Sequence, residues 1–441
     1  MRFFITTLGC PKNTVDSEMM GELLRRAGHV SVDVPRRADV IVVNTCGFIE
    51  AARAESYGEL RALAVKKRRG QRLVAVGCLA QRYGDAVRRH VPQVDAVLGT
   101  QAWPEIVSLI ARLGEGQSPE PVLGSRPDAL VRSVSRRGAV GPSAYLKIAD
   151  GCDAACAFCA IPLIKGPQRS KPEADVVREA RELAAGGVRE AVLIAQDTTA
   201  YGRDLGQRDA LPGLMRGILD AAPEIAWLRV MYAYPQNVTP ELIDVLAGEE
   251  RVCRYLDLPL QHAHPDVLRR MRRPHDIDQV HALIARLREA MPDVALRSTF
   301  IVGFPGETEA EFEALLAFLE EMALDKVGVF AYSAEEGTAA AEMPDHVPAE
   351  VIAERYDRAM ALQQEVSLAR NEAHVGRELE VLIEGVGDGL SVGRSYREAP
   401  EIDGLVLVPG EATVGDLVRV RVVAAQAYDL IAHGVQSTGG R

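Results

Sequence analysis

The sequence predicts an α/β multidomain protein: an N-terminal parallel α/β domain, a partial (β/α)6 barrel and a small C-terminal all-β barrel. Three observations predict it. Residues 1–113 alternate strand and helix signals. Six strand-like runs, separated by helical ones, fill residues 145–333. Beyond residue 372 the pattern changes to short strands broken by glycines. A chain of 441 residues suits roughly three domains.

The first strand is expected over Phe3–Thr7. A helix follows over Thr14–Ala27, with Val15, Met19, Leu23 and Leu24 on one side. Val40–Val43 and Leu73–Val76 are continuous apolar runs of the kind buried in parallel sheets. Each of these three strands ends near a cysteine: Cys10, Cys46 and Cys78. Ligands of parallel α/β sheets gather beyond the carboxyl ends of the strands. The three thiols therefore converge on one point, or else are three unrelated small core residues.

Residues 114–142 are rich in Gly, Ser, Pro and Arg and read as a linker. The barrel is expected over 143–345, with strands Tyr145–Ala149, Ala191–Ala195, Trp227–Tyr232, Tyr255–Leu258, Ala295–Val302 and Lys326–Tyr332. Repeated βα units give a parallel sheet that curls, and six are too few for full eight-stranded closure. A connecting helix over 346–371 presents Ile352, Tyr356, Met360 and Val366. Four short strands within 372–436, from Glu378–Ile383 to Leu417–Ala424, make the last domain.

Cys152, Cys156 and Cys159 stand as C-x-x-x-C-x-x-C. Zinc structural sites take four ligands, usually as paired Cys or Cys/His units. Here no second pair and no nearby histidine follows. Three thiolates instead suit a four-iron cluster with one iron left open for a small molecule. Seven cysteines and no export signal place the chain in a reducing compartment, the cytoplasm, where clustered cysteines hold metal rather than disulfides. No apolar run reaches the roughly 20 residues of a membrane span. The net charge of −11 disfavours a large nucleic-acid footprint.

The whole chain resembles the methylthiotransferase branch of the radical S-adenosylmethionine (SAM) enzymes. The resemblance is carried by Leu8-Gly9-Cys10-Pro11-Lys12-Asn13, Val43-Asn44-Thr45-Cys46-Gly47-Phe48, Val76-Gly77-Cys78-Leu79 and the Cys152–Cys159 loop. Within that branch it looks like the RimO type. The pointers are Ile194–Gly202, Asp257–His262, Ile301–Thr308 and Gly393–Gly404. One departure stands at Arg169-Ser170-Lys171, where lysine replaces a common arginine and loses the planar fork.

The resemblance implies two 4Fe–4S clusters, one on Cys10, Cys46 and Cys78 and one on Cys152, Cys156 and Cys159. It implies SAM at the second, cleaved to a 5′-deoxyadenosyl radical. It implies that the first holds a sulfur that is methylated by one SAM and passed to a substrate radical made with another. The product carries a methylthio group on the β-carbon of an aspartate in a basic small-subunit ribosomal protein, number twelve. An external electron donor and a sulfur donor are then required. The family's third domain is a β-barrel called TRAM.

Candidate SAM contacts are Phe158, Gln196, Asp197, Gln261 and Gly303, at the loop and at strand ends on the barrel rim. Each has a plainer reading: loop packing for Phe158, a helix cap for Asp197, a tight turn for Gly303. His262, Tyr232 and Tyr234 stand at the same rim. Asn13, Asn44 and Thr45 are placed to hydrogen-bond the upstream cluster. Cys253 reads as a core residue.

Two rivals remain: transfer to an adenosine of tRNA, and a two-cluster electron carrier or regulator. A carrier wants fully ligated clusters and needs only a small fold. The C-terminal segment from Glu372 to Gln436 holds eleven Asp and Glu against five Arg. An acidic module repels tRNA and suits a basic protein partner, so tRNA is not the expected partner. The segment is expected to bind the ribosomal protein by itself, unless Arg394 and Arg397 form a local basic patch.

Overall fold

The computed structural model describes residues 1–124, 134, 136 and 141–435. Most of the linker expected over 114–142, and the last expected residue of the third domain, Gln436, lie outside the described residues.

The first sheet has five parallel strands in the spatial order Val30–Ser31, Arg2–Thr7, Val40–Thr45, Arg72–Gly77 and Ala96–Gly99. Helices cover both faces, so the middle strands are apolar throughout. Val15, Met19, Met20 and Leu24 of helix Pro11–Arg26 pack with Ile106, Leu109 and Ile110 of a later helix on one face. Leu60, Leu63 and Leu79 pack on the other. The order reverses between Arg2–Thr7 and Val40–Thr45, the topological switch point where such sheets bind ligands.

The second sheet has six parallel strands in the order Lys326–Ala331, Ala295–Val302, Val252–Asp257, Trp227–Val230, Glu190–Ile194 and Ser143–Lys147. It curls without closing. The lumen is plugged by other domains: Tyr145, Ile194, Met231 and Tyr255 share a core with Val15 and Met19 of the first domain and Ala399 of the third.

Helix Ala349–Glu372 keeps part of its expected apolar face, with Ile352 and Met360 packed against the barrel core. Tyr356 is exposed. The buried stripe is Arg355, Ala359, Gln363, Ser367 and Asn371, spaced four apart. It is polar because it stitches loops. Arg355 donates to Glu307, Gln363 to the Leu324 carbonyl, and Asn371 to the carbonyls of Gln426 and Ala427.

The third domain is a closed five-stranded barrel around Val381, Ile383, Val406, Val420 and Leu430. Its fifth strand is Leu430–Gly434. Arg394 and Arg397 are buried, so they form no exposed basic patch. Arg394 pairs with Glu190 and Glu384, and Arg397 pairs with Asp325 at 2.9 Å. The Arg394–Gly404 segment docks on the barrel's amino-terminal end and reaches Tyr255, whose hydroxyl donates to Asp403 at 2.8 Å. In the whole chain these two arginines of the third domain are covered by Glu190 and Asp325 of the second. Among the described residues no helix is long and apolar enough to cross a membrane.

Candidate functional site

Three neighbouring strands of the first sheet lead directly to Cys10, Cys46 and Cys78. Gly9 and Gly77 permit the close packing. Both have left-handed φ values, 92° and 97°, which favour glycine. A Cβ on Gly9 would stand 2.7 Å from the Cys46 Cβ, and one on Gly77 would stand 2.3 Å from the Asn44 side chain. Asn13 ties the group together. Its amide donates to the carbonyls of Leu8 and Thr45, and its oxygen lies 3.7 Å from the Cys78 sulfur. Asn44 and Thr45 do not face the sulfurs as expected. Asn44 donates to the Asn13 carbonyl and Ser17, and Thr45 to the Val76 carbonyl.

The Cys152–Cys159 loop leaves the first barrel strand. The Ala154 N–H donates to the Cys152 sulfur at 3.4 Å. Arg273 puts a guanidinium nitrogen 3.8 Å from the Cys156 sulfur, stacks on Tyr234 and donates to the Pro259 carbonyl. Donors aimed at sulfur suit thiolates. Burial pushes the Cys159 thiol up to about 12 and raises Cys46, Cys78 and Cys152 as well, so metal must displace protons there. Three thiolates on each domain are the donor set of a four-iron cluster with one iron left open, whereas a structural zinc takes four ligands.

The two triads share one seam. Cys78 packs against Ala160 and Ile164, just beyond Cys159. Lys165 crosses the seam to Thr100 at 2.6 Å and to Asp16 and Asp150 at 3.2 Å. Lys147 pairs with the same two carboxylates. Burial opposes the charge on Asp150, but the two ammonium groups hold its carboxyl well below the usual range. Lys12 sits over the Tyr232 ring, 3.2 Å from its centroid. Burial draws the Lys12 ammonium down to about 8. Glu335 clamps the outer edge, accepting from Arg53, Arg82 and the Glu50 N–H.

The candidate SAM contacts divide. Gln196 ends its strand beside the cysteine loop, donates to Asp150 at 3.0 Å, and leaves its buried amide oxygen without a partner. Phe158 lies partly buried against Val267, Met271 and Phe304. Asp197 caps a short helix and accepts from Thr199, Ala200 and Asn237, so its oxygens are committed. Gln261 has φ 75° and bridges to Phe300. His262 is buried, with Nε2 3.5 Å from Glu307. Gly303 makes room for protein rather than ligand: a Cβ there would stand 2.3 Å from Ile352 of the long helix. Cys253 is a core residue.

Sequence reasoning missed Lys12, Lys147, Lys165, Asp16, Asp150, Arg273 and Glu335. Lys12 stands beside Cys10, and Asp150 stands two residues before Cys152. That adjacency was the available signal.

Three family signatures match the chain: uncharacterized protein family UPF0004 over residues 2–99, the radical SAM superfamily over 146–319, and the TRAM domain over 375–435. A ribosomal protein uS12 methylthiotransferase RimO from Chloroflexus aurantiacus is 52% identical, covering 98% of this chain and 99% of that protein. Proteins of the same name from Herpetosiphon aurantiacus and Roseiflexus sp. are 48% and 50% identical over 98% of this chain, covering 99% and 96% of their own lengths. Among solved structures, the radical SAM methyltransferase TsrM from Kitasatospora setae superposes with a TM-score of 0.57 at 14% identity. The superposition covers 89% of this chain and 77% of that one and shows a shared fold. With relatives this similar over the full length, the chain belongs to the RimO family of radical SAM methylthiotransferases.

Proposed function

We propose that this protein transfers a methylthio group to the β-carbon of an aspartate in ribosomal protein uS12. The observation that carries the reading is the seam itself: two three-cysteine groups, packed through Cys78, Ala160 and Ile164, in a chain about half identical to RimO proteins. Membership of the radical SAM superfamily brings a 4Fe–4S cluster and SAM. We assign that cluster to Cys152, Cys156 and Cys159, and a second to Cys10, Cys46 and Cys78.

When bound, the clusters and SAM supply the one-electron chemistry and the sulfur, and the protein supplies binding and orientation. Gln196 offers its free amide oxygen to a donor on SAM. Arg273 and the Ala154 N–H steady thiolate charge on the loop. Lys147 and Lys165, locked between Asp16 and Asp150, hold the two domains in register. An external reductant and a sulfur source complete the turnover.

The third domain supports a basic protein partner over tRNA. With Arg394 and Arg397 buried, its exposed charges are Glu372, Glu378, Glu380, Asp388, Glu401, Glu411 and Asp416 against Arg377, Arg419 and Arg421. The full-length protein is expected to bind uS12 with an affinity that falls as salt rises.

Mass spectrometry tests the function. A strain carrying the gene should show a gain of about 46 Da on one aspartate of uS12, the mass of SCH3 less the hydrogen it replaces. The gain should vanish with the gene deleted. A methylthio-adenosine signal in tRNA that depends on the gene, with uS12 unchanged, would move the assignment to tRNA.

A further inference from the structure

Among the described residues, the buried lysines and arginines other than Lys12 all donate a hydrogen bond. Lys147 and Lys165 reach Asp16, Lys171 reaches Glu179, Lys326 reaches the Tyr428 carbonyl, and Arg273 reaches the Pro259 carbonyl. Arg136, Arg229, Arg355, Arg394 and Arg397 likewise meet carboxylates. Lys12 is 7% exposed and has neither a hydrogen bond nor an ion pair among the described residues. It has only the Tyr232 ring. An unpaired buried ammonium is strongly unfavourable, and a cation–π contact offsets only part of that.

Tyr232 is itself unusual. Its φ is 61°, an outlier for a bulky residue. The conformation is held by its N–H, which donates to Asp257 on the next strand at 3.2 Å. Such strain gathers at functional sites. The pair stands in the seam: Lys12 lies two residues after Cys10, and Tyr232 follows the barrel strand Trp227–Val230. Cys10 is exposed, so the seam opens to solvent there. The nearby carboxylates are taken. Asp150 serves Lys147, Lys165 and Gln196, and Asp257 serves Arg297 and the Tyr232 N–H.

We propose that Lys12 is the seat for the carboxylate of the target aspartate, holding that side chain in the seam between the two cysteine groups. The proposal rests on the reaction assigned above and names its substrate-binding residue. The β-carbon of an aspartate is one bond from its carboxylate. Pinning the carboxylate on a fixed ammonium therefore fixes where the β C–H bond points. Charge-assisted bonds of this kind are the strong ones. An adenine carries no such anion, so the same residue would discriminate between substrate classes. The competing anion is the sulfur of the upstream cluster itself.

The test is a two-by-two binding experiment on the reconstituted holoenzyme. The probes are a uS12 peptide containing the target aspartate and the same peptide with asparagine there. The wild type is expected to prefer aspartate by about tenfold or more, the usual scale for a hydrogen bond to a charged group. Lys12→Met should bind both peptides within about twofold, at the wild-type asparagine level. Lys12→Arg should keep the preference. Iron content is measured alongside, because Cys10 is close. If Lys12→Met loses iron, Lys12→Gln replaces it, with the same expectation. A wild type indifferent to the exchange, or a Lys12→Met or Lys12→Gln protein that keeps the preference, overturns the proposal. So does a variant that shifts only the upstream cluster's potential, since Lys12 then serves the cluster. A wild type that binds the aspartate peptide but never methylthiolates uS12 would instead sink the assigned reaction and leave the seat standing.

Discussion

Replacing Cys152, Cys156 and Cys159 together with alanine is expected to lower the iron content from about eight to about four per chain, if each triad holds one cubane, and to abolish reductive cleavage of SAM. The three thiols lie on one loop, so their loss empties one site without breaching the core of any sheet. The upstream thiols stand on a different domain, braced by Asn13 and packed by Gly9 and Gly77, and should keep their metal. Iron analysis of anaerobically reconstituted protein and product analysis for 5′-deoxyadenosine check the two halves. Zinc in place of iron in the wild type would overturn the cluster assignment.

Glu190→Gln is expected to destabilise the chain by about 3–5 kcal/mol, the usual cost of breaking a buried pair. Glu190 is fully buried and pairs with Arg229 and Arg394, themselves 0% and 1% exposed. Glutamine keeps the shape and removes the charge, leaving two guanidinium groups facing one another in the contact between barrel and third domain. Burial opposes ionisation of Glu190, but the two arginines win and hold its carboxyl at about 2. A depressed carboxyl stabilises above its unfolded value near 4.5 and loses that contribution as pH falls toward its folded value. Acid destabilisation through this group therefore belongs between about 4.5 and 2. The denaturation midpoint of the variant checks the first claim, and its flatter pH profile checks the second. Glu241→Gln, at a surface pair with Arg216 whose members are about half exposed, should leave the midpoint unmoved.

The sheets were legible because parallel strands buried on both faces leave unbroken apolar runs. Val40–Val43 and Leu73–Val76 announce themselves, and the cysteine after each run marks the ligand-binding edge. Ala96–Gly99 is four residues long, and Leu430–Gly434 carries a histidine and a glycine. Neither makes a run that stands out. The long helix was legible in part: Ile352 and Met360 do pack on the core, but its most buried stripe is largely polar and bonds to loop groups, and periodicity counts only apolar residues. Gly303 looked like a place for a ligand to approach, but the neighbour is Ile352 from a helix some fifty residues on. Most of the charged lining of the seam was hidden for the same reason. Lys12 and Asp150 stand close to cysteines in the sequence, but Asp16, Lys147 and Lys165 acquire meaning only when two domains meet.

The central claim is a division of labour: the barrel triad makes the radical and the upstream triad delivers the sulfur. The most direct test is the Cys10→Ala, Cys46→Ala, Cys78→Ala triple variant, reconstituted and supplied with SAM, reductant and the uS12 peptide. The account predicts that 5′-deoxyadenosine still forms while no methylthio group reaches the peptide. A variant that transfers the methylthio group, or one that cleaves no SAM although its barrel cluster is intact by iron analysis and spectroscopy, would contradict it.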